Sequence, residues 1–260
     1  MFILPKAPYV CKLRMSHWNN QTGNRRYENT FGFIAAPNQF FSQYNQDRSL
    51  ESCVFKGYTN GVFMDVGAHD GVDLNNTLYF ERTRNWLGIN IEPIASVYKR
   101  LLTNRPTSTN INCAVSSIDG SSEFVCNSGY TEMLSGLKNQ YDARHIDRIN
   151  GENRTTGAIS TTITVATKRI ETICNEHAIN RIHYLSIDVE GGELQVLQSI
   201  DYSKVFIDVI GFENNYHDTA HIPIEYLKER GYLQLADHIA DVFMIHKDSE
   251  FIENCRDLLR

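Results

Sequence analysis

Three groups of residues in this chain combine types and spacing that could do chemistry. The first is Asp65-Val-Gly67-Ala68-His-Asp70-Gly71, directly after the apolar run 62–64. Gly67 can make a tight turn and lets a ligand approach the backbone, and Gly71 relieves crowding where a following helix packs. A dinucleotide fingerprint reads Gly-x-Gly-x-x-Gly. The spacing here is Gly-x-x-x-Gly, which does not suit a pyrophosphate and does suit S-adenosylmethionine, whose methionine end is a zwitterion. Asp65 agrees with that reading, because a carboxylate can hold an ammonium group and would repel phosphates. The second group is Glu92-Pro93, closing the apolar stretch 86–91. Glu92 follows Gly71 by about twenty positions, the offset at which an acidic residue accepts hydrogen bonds from ribose hydroxyls. The small residues 112–116, Ala114 among them, could leave room for a flat adenine ring.

The third group is Asp188-Val-Glu190-Gly-Gly-Glu193, at the end of the apolar run 183–187. Acids at a helix N-terminus are favoured by the dipole, typically by ~0.3–1 kcal/mol. Capping accounts well for Glu193 and less well for three carboxylates beside two glycines. A carboxylate at a strand end can orient an acceptor group or take its proton. Asp188 is the first candidate for that role, and Glu190 could share it. Glu213, ending the apolar run 205–212, is a further candidate on the substrate side. His217 has the unperturbed pKa best matched to a base at neutral pH; the alternative is an ordinary loop histidine. Asp188, Glu190 and Glu213 could also offer hard oxygen ligands to a divalent metal. Nothing in their spacing requires one.

The elements that must carry these groups alternate. The runs at 62–66, 86–91, 109–116, 161–166, 183–188 and 205–212 read as strands. Helical patterns lie between them at 70–83, 94–104, 169–177 and after Gly191, where Leu194, Val196, Leu197 and Ile200 have amphipathic spacing. A helix at 222–230 and two strands at 232–236 and 242–246, an antiparallel pair, finish the chain. Alternation of this kind predicts an open α/β sheet with right-handed crossovers, and ligands bind such sheets beyond the carboxyl ends of the strands. Residues 1–56 read as an N-terminal cap, with one or two helices within 37–55, and 57–260 as the main domain. Segment 117–160, rich in Ser, Asn, Gly and Thr, breaks the rhythm; a hairpin near Asp119-Gly120 within a substrate-side insertion or lid is the expectation.

Composition sets the outer limits. With 260 residues and 42% hydrophobic content, the chain can bury a core without metal or disulfide support. Its formal net charge of −6 argues against a broad nucleic-acid surface and for a small or neutral substrate. No apolar run reaches the ~20 residues of a membrane span, and the N-terminus lacks the apolar stretch of a secretory signal. The six cysteines are scattered with no Cys-x-x-Cys pair, so a zinc module is not expected. Reduced, mostly buried thiols and a cytoplasmic setting are. The oligomeric state is left open.

Together with Ser42-Gln43-Tyr-Asn-Gln46-Asp47, Asn75-Asn76-Thr77, Phe80-Glu81, Trp86-Leu-Gly88 and Ala114-Val-Ser116, these motifs resemble the FkbM-type family of S-adenosylmethionine-dependent methyltransferases. The order and spacing follow that family over roughly residues 42–215. The resemblance implies a Rossmann-like seven-stranded methyltransferase sheet, mostly parallel with an antiparallel C-terminal strand and a helical N-terminal cap. It implies cofactor contacts from Asp65, Gly67, Ala68, Asp70, Gly71, Glu92 and Ala114, with Asp188 facing the methyl group. Asn76 and Thr77 could bind the methionine carboxylate or cap their helix; Gln46 and Asp47 would close over cofactor or substrate. Many members carry lysine where this chain has Ser186; the serine form occurs too, so the departure weakens only a role for a lysine there. O-methylation of a sugar or related hydroxyl is the implied activity. Base methylation fits less well, since no aromatic or proline follows Asp188. Methylation of nucleic acid or protein, or a non-catalytic cofactor-binding module, are the other readings.

Overall fold

The computed structural model describes residues 39–213, 221–236, 238 and 241–260. The chain enters through α1 (Gln46–Leu50), which continues as one wider π-type turn, and then forms β1 (Val62–Val66). Next come α2 (Leu78–Arg84), β2 (Leu87–Ile91), α3 (Ala95–Asn104), β3 (Thr109–Ile111) and β4 (Ala114–Val115). The inserted segment follows with β5 (Gly120–Asn127), β6 (Gly136–Leu137), α4 (Ala143–Thr156) and β7 (Ser160–Lys168). The alternation resumes with α5 (Ile170–Glu176), β8 (Arg181–Ile187), α6 (Glu193–Gln198) and β9 (Phe206–Glu213). The last elements are α7 (His221–Lys228), β10 (Tyr232–Gln234), β11 (Asp241–His246) and a terminal 3-10 segment.

Seven strands form the main sheet in the order β10-β11-β9-β8-β1-β2-β3. From β3 to β9 all neighbours are parallel, while β11 runs antiparallel to both β9 and β10. This is the expected mostly parallel α/β sheet. Its strands read as unbroken apolar runs because helices cover both faces. On one face a large aliphatic core joins β1, β2, β8 and β9 to α5, α6 and α7. On the other, aromatic residues dominate: Phe55 meets Phe80, Trp86 and Phe251 edge-on, with ring centroids about 5 Å apart. Buried Asp208 on β9 is held in a fork by Arg181, both bonds 2.9 Å, so the charge in the middle of that strand is matched.

Three expectations need correction. The strand expected over 109–116 is two strands: β3 stays in the main sheet and β4 crosses into a second one. The helix expected from Asp70 begins only at Leu78, because residues 70–77 are spent on turns around Asp70 and Asn75. The inserted segment is also more regular than its composition suggested. β4, β7, β5 and β6 form a four-stranded sheet in that order, and α4 is capped by Asp142, whose carboxylate accepts from the Arg144 N–H at 2.8 Å. Strand β7, read from sequence as part of the main sheet, belongs here. Phe124, Leu137 and Val165 of the second sheet pack on Ile94, just before α3, and on Val97 within it, which fastens the insertion beside the ends of the main strands.

Cys53 is disulfide-bonded, whereas Cys113, Cys126, Cys174 and Cys255 are free thiols. Six reduced thiols were expected. Among the described residues no helix is long and apolar enough to cross a membrane.

Candidate functional site

The strand order reverses between β1 and β8: β2 and β3 follow on one side, β9 on the other. Loops leaving the carboxyl ends of β1 and β8 therefore part at this point and open a crevice. The two strands stay joined at the crevice floor, where Asp188 N–H donates to the Val66 carbonyl at 2.9 Å. Gly67 turns away at φ +84°, and a Cβ there would lie 1.8 Å from the Asp188 carbonyl oxygen. Only glycine permits this approach. Above it lies a cavity of about 380 Å³, a size typical of small-molecule sites.

Asp65, Gly67, Ala68, Asn76, Glu92, Ala114, Asp188, Glu190, Glu213 and Gln46 all line this cavity. Residues as far apart in sequence as Gln46 and Glu213 thus meet in one place. Asp70, Gly71, Thr77 and Asp47 do not line it. Asp70 accepts from the Val72 and Asp73 N–H groups, both at 2.9 Å, and so shapes the loop. Gly71 faces Arg105 and Leu101, either of which a Cβ would approach to 2.6 Å. Thr77 is fully buried and donates to Asp65 Oδ2 at 2.8 Å. Asp47, expected on the substrate, instead ties the cap together, accepting from Phe41 N–H at 2.7 Å, Ser42 Oγ at 2.5 Å and Arg48 N–H at 2.8 Å. His217 lies outside the described residues.

Asp65 is held from behind. Asn75 Nδ2 and Thr77 Oγ1 both donate to its Oδ2. The buried Arg105 organises those donors, reaching Glu81 at 2.7 Å and Asn75 Oδ1 and the Gly71 carbonyl at 3.1 Å. Burial raises the Asp65 pKa, with Arg105, Thr77 and Asn75 opposing the rise. Glu92 accepts the Ile94 N–H on Oε1 at 2.7 Å and the His69 N–H on Oε2 at 3.1 Å. Burial pushes its pKa up to about 7, against those two backbone donors. A carboxylate has about four acceptor sites, so both oxygens retain capacity for donors on a ligand in the cavity.

The third acidic group is denser than its sequence indicated. Ligand oxygens of Asp188, Glu190 and Glu213 lie within 4.8 Å of one another. Asp188 is open to the cavity, but protein crowds it on the remaining sides. Burial, then Asp241, Glu193 and Asp65, raise its pKa. Burial and the neighbouring carboxylates raise Glu190 and Glu213 further. Glu190 takes a left-handed backbone, φ +58°. The glycines after it leave room for the insertion: a Cβ at Gly191 would lie 2.9 Å from the Gln140 carbonyl oxygen.

Several cavity residues escaped sequence reasoning. Asp241, on β11, accepts from Gln46 Nε2 at 2.6 Å, and burial raises its pKa to about 6. That bond joins the N-terminal cap to the sheet. Gln140 and Arg148 reach the cavity from the insertion. Glu132, also from the insertion, binds His69 at 2.8 Å and Arg100, bridging the second sheet to the glycine loop and α3. None of these stands in a motif of its own. The one signal was the polar character of segment 117–160 beside an acidic site.

Comparison with known proteins bears on this geometry. Residues 65–233 match the model of the methyltransferase FkbM domain, well over half the chain and all of the strand-end loops described above. No curated protein matches. Among solved structures, the chain is similar to methyltransferase FkbM from Methylobacillus flagellatus KT, at 13% identity and a TM-score of 0.44, covering 73% of this chain and 44% of that one. It is also similar to precorrin-6y C5,15-methyltransferase from Geobacter metallireducens GS-15, at 13% identity and a TM-score of 0.39, covering 82% and 91% of the two chains. The chain thus spans less than half the length of the first of these. On the domain match, the protein belongs to the FkbM methyltransferase family.

Proposed function

We propose that the protein transfers a methyl group from S-adenosylmethionine to a hydroxyl of a sugar, glycan or related small molecule. The observation that carries the reading is the single cavity in which the Gly67 loop, Glu92 and Asp188 face one another. Asp65 suits the ammonium group of the methionine end. The free acceptor capacity of Glu92 suits two ribose hydroxyls. Ala114 and Cys113, both buried and lining the same wall, leave a flat space beside β4 for the adenine. This arrangement points the sulfonium toward the Asp188 side, where a crowd of carboxylates favours a cation. Asp188 then orients the acceptor hydroxyl and takes its proton as the oxygen–methyl bond forms and the sulfur–methyl bond breaks, leaving a neutral thioether. The acidic surroundings favour a neutral, hydrogen-bond-donating acceptor such as a polyol over an anionic one.

Calorimetry with S-adenosylhomocysteine, followed by a turnover screen of sugars, nucleotide sugars and glycans, tests this. Binding should be lost in Asp65→Ala, and Asp188→Ala should abolish turnover while still binding the cofactor product. Absence of binding at millimolar ligand, or full turnover by Asp188→Ala, overturns the reading.

A further inference from the structure

The insertion places two uncommitted hydrogen-bond donors on the cavity wall. Arg148 is the one arginine or lysine among the described lining residues. It stands on α4 three positions after His145, whose buried ring lies 3.5 Å from Glu190, and residues three apart share a helix face. Arg148 therefore looks toward the strand-end acids, and Glu190 and Glu213 both act on its charge. Its Nε donates to Glu152 at 3.0 Å. Among the described residues its two terminal nitrogens have no hydrogen-bond partner, and the side chain is 48% exposed, so this fork is open at the cavity mouth. Gln140, just before α4, is the second donor. Gly191 and Gly192 admit it: a Cβ at Gly192 would lie 2.0 Å from Gln140 Oε1. Its amide nitrogen, too, has no partner among the described residues, whereas Gln46 is spent on Asp241 and His69 on Glu132.

We propose that Arg148 and Gln140 select the acceptor, gripping a neutral polyol through the oxygens of two adjacent hydroxyl groups. Guanidinium and amide N–H groups donate, and the carboxyl groups across the cavity offer acceptor oxygens. A hydroxyl group does both, so a polyol laid between the two walls satisfies each. The planar guanidinium presents its N–H groups as a fork that reaches two neighbouring oxygens at once, which a lysine cannot do. An anionic group gains little at this point, because Glu152, Glu190 and Glu213 already counter the Arg148 charge. Resting on the methyl-transfer reading, the grip leaves a further hydroxyl of the same molecule facing Asp188. The insertion, which carries both donors, then sets specificity, while the strand-end loops hold the methyl donor.

Ligand-observed nuclear magnetic resonance on the full chain, with and without S-adenosylhomocysteine, tests the grip. The probes are the methyl glycosides of mannose, galactose, fucose and rhamnose, with their monodeoxy analogues. At least one glycoside should bind the wild type at millimolar concentration. Arg148→Met should weaken it at least about tenfold and Gln140→Ala about fivefold, whereas Arg154→Met, exposed on the same helix, should not. All three variants should bind S-adenosylhomocysteine as the wild type does, which also reports their folding. Arg148→Lys should recover little of the loss. At least one monodeoxy analogue should bind the wild type as weakly as its parent binds Arg148→Met, and should lose nothing more in that variant; a merely structural role for Arg148 would weaken parent and analogue alike. Equal binding by wild type and Arg148→Met overturns the proposal, as does tighter binding of methyl galacturonoside than of methyl galactoside, the mark of an anion site. Binding of S-adenosylhomocysteine without any glycoside sinks the grip alone, and glycoside binding without S-adenosylhomocysteine sinks the methyl donor alone.

Discussion

Glu92→Gln offers the sharpest test of the electrostatic reasoning. Glu92 is 5% exposed, and burial lifts its pKa from 4.5 to about 7 in the folded protein. A carboxyl group with a raised folded-state pKa contributes its full stability below its unfolded value and loses it as pH rises through the folded one. The displacement is worth about 3 kcal/mol in all, of which about 2.5 kcal/mol falls between pH 5 and 8.5. Glutamine cannot ionise and escapes that loss. It has one acceptor oxygen where the Ile94 and His69 N–H groups require two, so it pays a pH-independent cost of about 1–3 kcal/mol. The variant should therefore be the less stable protein at pH 5 and equal to or more stable than the wild type at pH 8.5. Urea unfolding of both proteins without ligand, at four pH values across that range, measures the difference directly. A difference that stays constant with pH would refute the claim that burial dominates the Glu92 environment. The same variant should bind S-adenosylhomocysteine at least about tenfold more weakly, the loss of one charged acceptor.

Further predictions follow from the same contacts. Gly67→Ala forces a Cβ to 1.8 Å from the Asp188 carbonyl oxygen at a left-handed backbone, so β1 and β8 must separate at their ends. A loss above about 3 kcal/mol is expected in denaturant unfolding, together with loss of cofactor-product binding. Arg105→Lys keeps the charge but cannot donate at once to Glu81, Asn75 and the Gly71 carbonyl. Breaking this buried fork should cost about 3 kcal/mol, read by the same assay, and should weaken ligand binding through the displaced Asn75 and Asp65.

The strand-end chemistry was readable from the chain because each motif is local. A strand must end before Gly67 can turn, and Asp65, Glu92 and Asp188 sit at fixed offsets from the ends of their own apolar runs. The insertion was only partly readable. Strand β7 was legible at 161–166 but its sheet was not, whereas β5 alternates polar residues on an exposed face with a few inward ones, Phe124 among them, a pattern that resembles loop composition until the partner strand is known. The start of α2 was misjudged for a related reason. Residues 70–77 are rich in Gly, Asp, Asn and Thr, weak helix formers, and Asp70 and Asn75 spend their side chains on nearby backbone N–H groups, so turns win over a longer helix.

The amino-acid order by itself therefore determined the alternating elements, the glycine turn and which strand ends carry acid. Those follow from short-range sterics and burial period, which act within a few residues. Tertiary structure alone decided which acids share a cavity. Asp241 joined them because β11 pairs antiparallel with β9 and puts Asp241 opposite Glu213. Thr77, Gly71 and Asp47 fell behind the wall because their groups are consumed in holding Asp65, Arg105 and the cap. The insertion supplied His145 beneath Glu190 and Arg148 beside it. A carboxylate's role depends on what charge and how much water surround it, and those neighbours come from residues far away in the chain.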